Sequence, residues 1–168
     1  MAVDGGTGGA QPVPAGDRVV ALGSQLRRVH DRIRDVLDDA REGLDPADGT
    51  ASITSDLAVR CLTVCSVLGS HHRDEDATLF PWLLREQPSL AGVIARLEQD
   101  HAMIGALLPD LARAVEEGAA REVLLRHLEG VDAIMESHFR YEERELVAVL
   151  DGSAGDGPRL PGRFWLGG

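Results

Sequence analysis

The stretch Ser137-His138-Phe139-Arg140-Tyr141-Glu142-Glu143 decides how this chain is read. It lies inside a segment, about 120 to 150, where Val123, Leu124, Leu128, Val131, Ile134, Met135 and Val149 recur mostly three or four residues apart. That is the period of a helix with one apolar face, and His138 and Glu142, four apart, fall on one side of it. The stretch has a double in Ser70-His71-His72-Arg73-Asp74-Glu75-Asp76, which repeats its Ser-His, its Arg and its closing pair of acids. Around the second copy Leu57, Cys61, Val64, Leu68, Leu79 and Trp82 keep the same helical spacing. Two helices of one chain therefore carry the same His-x-x-x-Glu device.

Two further segments complete the pattern. The first runs from about Asp17 to Glu42, with Val19, Leu22, Leu26, Val29, Ile33 and Leu37 on one stripe and His30 among them. The third runs from about Ser89 to Glu117, with Val93, Ile94, Leu97, Ile104, Leu108, Leu111 and Val115 flanking His101. Gly43, the run Asp45-Pro46-Ala47-Asp48-Gly49, Gly118 and Asp151-Gly152 are stops or loops, and Ser52 to Ser55 offers caps. Pro81 falls inside the second segment, about Ser55 to Glu86, and is predicted to kink or interrupt it. Four long amphipathic helices with short joints predict an all-α domain, an antiparallel up-down-up-down four-helix bundle over residues 17–150. Residues 1–16, rich in Gly, Ala and Pro, read as a disordered arm. Residues 151–168 read as a flexible tail, whose Phe164, Trp165 and Leu166 can pack on the body or on a partner.

Bulk properties narrow the function. A length of 168 residues with 43 % apolar content suits one folded domain, and 4 % aromatics leaves the core to Leu, Val, Ile and Ala. A net charge of -11 without a basic patch argues against nucleic acid and anionic membranes as partners, and is compatible with gathering cations. No apolar run reaches the roughly 18 residues of a membrane span, and the first residues do not form a secretory signal. Cys61 and Cys65, four apart on a helix face, do not suggest a disulfide framework and read as core. The expected compartment is the reducing cytoplasm.

The chemistry resides in six side chains. His71 with Glu75, and His138 with Glu142, are helix-face neighbours, while His30 and His101 sit midway along the inner stripes of the other two helices. Burying four imidazoles and two carboxylates without partners is costly, and coordination of a metal removes that cost. Carboxylates bridge cations, and the residue types suit iron while also allowing zinc or manganese; iron is the reading adopted. Six protein ligands for two ions leave positions open for a small ligand.

Other residues read differently. His72 points about 100° away from His71 on an ideal helix, and its counterpart is Phe139, so it reads as a packing position. His127 reads as structural or exposed, and Tyr141 as packing or solvated, though it adjoins Glu142 and could approach the site. Asp76 and Glu143 follow the two Glu ligands and read as hydrogen-bond partners of ligating histidines or as solvent-facing acids. Glu98-Gln99-Asp100-His101 fits the Glu-x-x-His device of ferritin-like proteins once. Arg27, Leu68 and Met135 stand three before the other histidines, so the second copy is missing and that reading is rejected. Glu98 remains a candidate extra ligand or hydrogen-bond acceptor.

Taken together, His30-Asp31-x-Ile33-Arg34, His71-His72-x-x-Glu75-Asp76-x-x-Leu79-Phe80-Pro81, Asp100-His101-x-x-Ile104 and His138-x-x-x-Glu142-Glu143 resemble the hemerythrin-like, or HHE cation-binding, domains. The resemblance covers about residues 17–150. It implies two non-haem iron ions with an oxo or hydroxo bridge, held by His30, His71, Glu75, His101, His138 and Glu142, with both Glu carboxylates bridging. It also implies a small diatomic ligand or peroxide as partner. Members bind oxygen or nitric oxide, sense oxygen or iron, or react with peroxide. A peroxide- or oxygen-consuming protein and a non-catalytic sensor are thus the two functional expectations, with iron storage a third. Oxygen carriers resemble a pattern with His-x-x-x-His on the third helix and a closing His-x-x-x-x-Asp. Here Leu97 and Gly105 flank His101 at four residues, and Glu142 and Glu143 follow His138 at four and five. One imidazole is missing by this count, which favours redox turnover or sensing over simple oxygen carriage.

Overall fold

A computed structural model describes residues 15–44, 55–152 and 158, with side chains from Leu22 onward. Helix α1 spans Ala15–Gly43 and α2 spans Ser55–Asp74. The latter passes through one π turn, Glu75–Leu79, into the short α3, Phe80–Glu86. A 3-10 turn, Pro88–Leu90, leads into α4, Ala91–Glu116, and α5 spans Arg121–Gly152. No strand occurs among the described residues, so the domain is all-α. Helices α1 and α4 each pack against both α2 and α5, which closes the four long helices into a ring around one interior. No described helix is long and apolar enough to cross a membrane.

The main departure from the predicted helices is the second one, which does not run as a continuous α-helix to Glu86. Pro81 has no N–H to give to the preceding turn. The chain accommodates this one residue earlier, where the Phe80 N–H bonds the Glu75 carbonyl, five residues back, instead of Asp76, four back. Phe80 is completely buried there, its ring stacked on His101 with centres 5.3 Å apart. At the other boundaries, Ala15 and Gly16 belong to α1 and not to the arm, and α5 includes Asp151 and Gly152. The third helix begins as the 3-10 turn at Pro88. The arm before residue 15, the Ser52 cap and the Phe164-Trp165-Leu166 tail lie outside the described residues. Gly118 does end α4: it holds φ at 65°, a left-handed value that glycine adopts without strain. The Gly118 and Ala119 N–H groups then bond the Val115 and Ala114 carbonyls.

The interior is not one continuous apolar core. One cluster gathers Val29, Ile33, Leu37, Leu68, Ile104, Leu128, Met135 and Phe139 among others. A second gathers Leu22, Leu26, Leu79, Phe80, Trp82, Leu97, Leu146 and Leu150 among others. The handover occurs once on every long helix: between Leu26 and Val29 on α1, next to His30, between Leu68 and Leu79 on the second rod, between Leu97 and Ile104 on α4, and between Phe139 and Leu146 on α5. A polar layer lies between two apolar plugs.

The plugs supply the stability that this layer does not. Leu128 is fully buried, whereas Val59 on α2 is 62 % exposed. Urea unfolding of the metal-free protein is expected to show Leu128→Ala destabilised by roughly 2–5 kcal/mol and Val59→Ala changed by no more than about 0.5 kcal/mol. Equal midpoints for the two variants would contradict this core.

Candidate metal centre

The polar layer contains the six residues singled out by sequence. His30 comes from α1, His71 from the last turn of α2, Glu75 from the start of the π turn, His101 from α4, and His138 and Glu142 from α5. All are buried, and His30, Glu75, His138 and Glu142 are completely so. Two groups form around them. The potential ligand atoms of His30, His71, Glu75 and Glu142 lie within 4.8 Å of one another, and so do those of His72, Glu75, His101 and His138. Glu75 is common to both groups, with its two oxygens 3.1 Å from His71 Nε2 and 3.4 Å from His101 Nε2. Glu142 reaches both sides too: its Oε2 is 3.2 Å from His30 Nε2 and 3.7 Å from His138 Nε2.

The internal repeat reappears as a structural device. On α1, His30 stacks on Phe139 at 3.8 Å and donates Nδ1–H to Glu143 at 2.8 Å. On α4, His101 stacks on His72 at 4.0 Å and donates Nδ1–H to Asp76 at 2.7 Å. In each half the single-His helix is therefore held by the repeat's position after its first His and by its last acid. Arg34 braces one of these acids, donating to Glu143 at 3.3 Å and to Glu136 at 3.0 Å. His138 has Asp100 Oδ2 3.6 Å from its Nδ1.

These contacts fix what the inner nitrogens are. An imidazole that donates from Nδ1 to a carboxylate carries, when neutral, a lone pair on Nε2. The Nε2 atoms of His101 and His138 face each other at 3.2 Å, and His30 Nε2 faces a carboxylate oxygen. Both oxygens of Glu75 and of Glu142, and Nε2 of His30 and His72, are buried with no well-directed hydrogen bond. Acceptors aimed at one another in a dry layer repel unless a cation or a proton stands between them. The donor set thus fits metal ions.

Without metal, protons take that role. Burial opposes charging of His30, but Glu142 and Glu143 outweigh it and push the imidazole up to about 9. At His101 burial is likewise outweighed, by Asp76 and Glu75, and the group is pushed up to about 10. Burial and the neighbouring charged imidazoles hold His71 and His72 well below the usual histidine range. Burial and the facing Glu142 raise Glu75, while His30 holds Glu142 low against its burial.

His72 is the residue that sequence reasoning set aside. It is 5 % exposed, and it stands in the second group as well as stacking on His101. The signal was present in the spacing: Glu75 lies three residues after His72 and four after His71, and both offsets share a helix face. Asp100 was also missed: its carboxylate lies 3.6 Å from Nδ1 of His138, which is on another helix. The other secondary residues stand apart. His127 is half-buried outside both groups, and Glu98 is exposed. Tyr141 lies between Arg96 and Arg144, whose guanidinium carbons are 4.1 and 5.0 Å from its ring centre. Cys61 is buried in the larger plug and Cys65 packs against it.

The hemerythrin HHE cation binding domain matches residues 22–150. The chain belongs to the hemerythrin HHE cation-binding family. Both groups of the polar layer lie within the matched span, as do Asp76, Asp100 and Glu143. Curated proteins and solved structures give no match to this hemerythrin-like chain.

The proton-filled layer sets a pH dependence. Above the ordinary histidine value of 6.5, His30, His101 and Glu75 still hold protons in the folded state that they have lost in the unfolded one. Where the folded state binds more protons, stability falls as pH rises. The melting temperature of the metal-free protein is expected to fall between pH 6.5 and about 10, through the values of about 9 and about 10 of the two imidazoles. A flat or rising melting temperature over that range would contradict the assignment.

Proposed function

We infer that this hemerythrin-like chain is a non-haem di-iron protein that binds or reacts with oxygen, peroxide or nitric oxide and is redox active. The observation that carries the reading is the pair of ligand groups sharing Glu75, with Glu142 reaching both. Glu75 and Glu142 would be shared between two cations held there, and imidazole completes an environment suited to iron. His30 and His71 would hold one ion, and His72, His101 and His138 the other. The Nδ1 contacts to Glu143 and Asp76 orient the ligand rings and raise their basicity. Bound iron would supply electron transfer and open positions for a small oxidant or diatomic ligand.

His72 brings the imidazoles around the layer to five. The shortage that weighed against simple oxygen carriage is thereby made good from α2, and reversible oxygen binding stands beside peroxide reduction within the same reading. The antiparallel up-down-up-down arrangement belongs to this proposal as well. It is supported by the pairs His30–Glu143, Arg34–Glu136 and Arg41–Asp132, in which α1 positions rise as α5 positions fall. The acidic chain, without a membrane-crossing helix among its described residues, suits work in the cytoplasm.

Metal analysis of aerobically purified protein is the direct test, with about two irons per chain expected together with the absorption of a diferric site. His71→Ala and Glu75→Ala are expected to lose iron and to melt roughly 10 °C lower, since a tightly bound ligand adds several kcal/mol to the folded state. His72→Ala is expected to retain about one iron, and His127→Ala both. Equal iron content in all four variants would end the assignment.

A further inference from the structure

A cleft of about 490 Å³ opens between α2 and α4, and His72 and His101 form part of its lining. The two rings thus belong at once to the cleft and to the second ligand group. The remaining lining is mostly apolar and small, with Gly69, Ala102 and Gly105 on the walls and Leu108 and Pro109 beyond them. Such a volume is far larger than a diatomic molecule needs and falls in the range of small organic ligands.

Gly105 and Pro109 both lie inside α4, where each weakens a helix. Gly105 is exposed, and a Cβ placed on it would meet no atom within 4 Å, so at this point the cleft opens to solvent.

The polar groups limit the occupant. Arg73 folds against Gly69, its Nη1 3.2 Å from where a Cβ would sit, and no ion pair holds it among the described residues. Its guanidinium can donate to a hydroxyl oxygen, and the exposed Glu98 can accept the hydroxyl proton. With Asp76 and Glu98 against Arg73, and a chain charge of -11, the cleft repels anions. A flat, uncharged, hydroxyl-bearing aromatic molecule meets all these conditions.

We propose that the α2–α4 cleft binds a reductant of the hydroquinone class, which supplies the electrons for peroxide reduction at the neighbouring centre. This rests on the redox reading given above. The reaction balances: the hydroquinone releases two electrons and two protons and becomes the quinone. Hydrogen peroxide takes up both, its O–O bond breaks, and two waters form.

Two measurements test the site, one of them independent of iron. Cys65 lines the cleft and is half-buried, while Cys61 is fully buried, so alkylation of the metal-free protein by iodoacetamide reports on Cys65. Resorcinol, which has the two hydroxyls but forms no quinone, is expected to slow that alkylation at least fivefold in a saturable manner. In the iron-loaded protein, Gly105→Leu puts a bulky side chain in the mouth of the cleft and is expected to raise the KM for 1,4-hydroquinone at least tenfold. Iron content, optical spectrum and the rate at which peroxide oxidises the chemically reduced centre are expected to stay as in the wild type. An unchanged KM, or alkylation unaffected by resorcinol, would overturn the proposal. Failure of the chain to hold iron would instead overturn the redox reading, and the Cys65 measurement would still decide whether the cleft takes the aromatic diol.

Discussion

Two carboxylates and five imidazoles share one buried layer of this protein, and that arrangement is stable only if positive charge stands among them. Isolated buried charges are among the most expensive features a fold can contain. Here the expense is confined to a single level. Apolar plugs above and below take up the rest of the interior, and each long helix changes from one plug to the other where it contributes to the polar layer. Much of the remaining architecture follows: carboxylates that back the imidazoles from outside, aromatic faces that hold the rings flat, and a widened turn after which Phe80 stacks on His101.

The helices and six of the layer's residues were legible because each depends on local spacing. Offsets of three and four place His71 with Glu75 and His138 with Glu142 whatever the rest of the chain does. His72 was misjudged because its angle was measured from His71. Measured from Glu75, which on an ideal helix lies roughly 40° from His71 and roughly 60° from His72, both histidines flank the same carboxylate. Asp100 could not be read, since its partner is on another helix and adjacency pointed to His101. The π turn was only half visible. Pro81 announces a disturbance, but which hydrogen bond slips is settled by what Phe80 packs against, His101 included.

The repeat within the chain also shows how a fold can keep a position while changing its chemistry. Phe139 and His72 occupy equivalent places and do the same mechanical work, each pressing flat against the histidine of a neighbouring helix. Only one of them also brings a nitrogen into the layer. The two halves are alike in support and unlike in donors, with two imidazoles on one side and three on the other. An internally duplicated scaffold can in this way build two ligand groups of different composition without any change in its packing.

No stretch of a single helix holds either group together: one draws on α1, the second rod and α5, the other on the second rod, α4 and α5. The earliest contributor is residue 30 and the latest residue 142. During synthesis, a nascent chain has therefore nothing complete to offer a cation until its last helix has left the ribosome and docked. Whatever ions the layer accepts, it accepts them at a site that is complete only once α5 has docked.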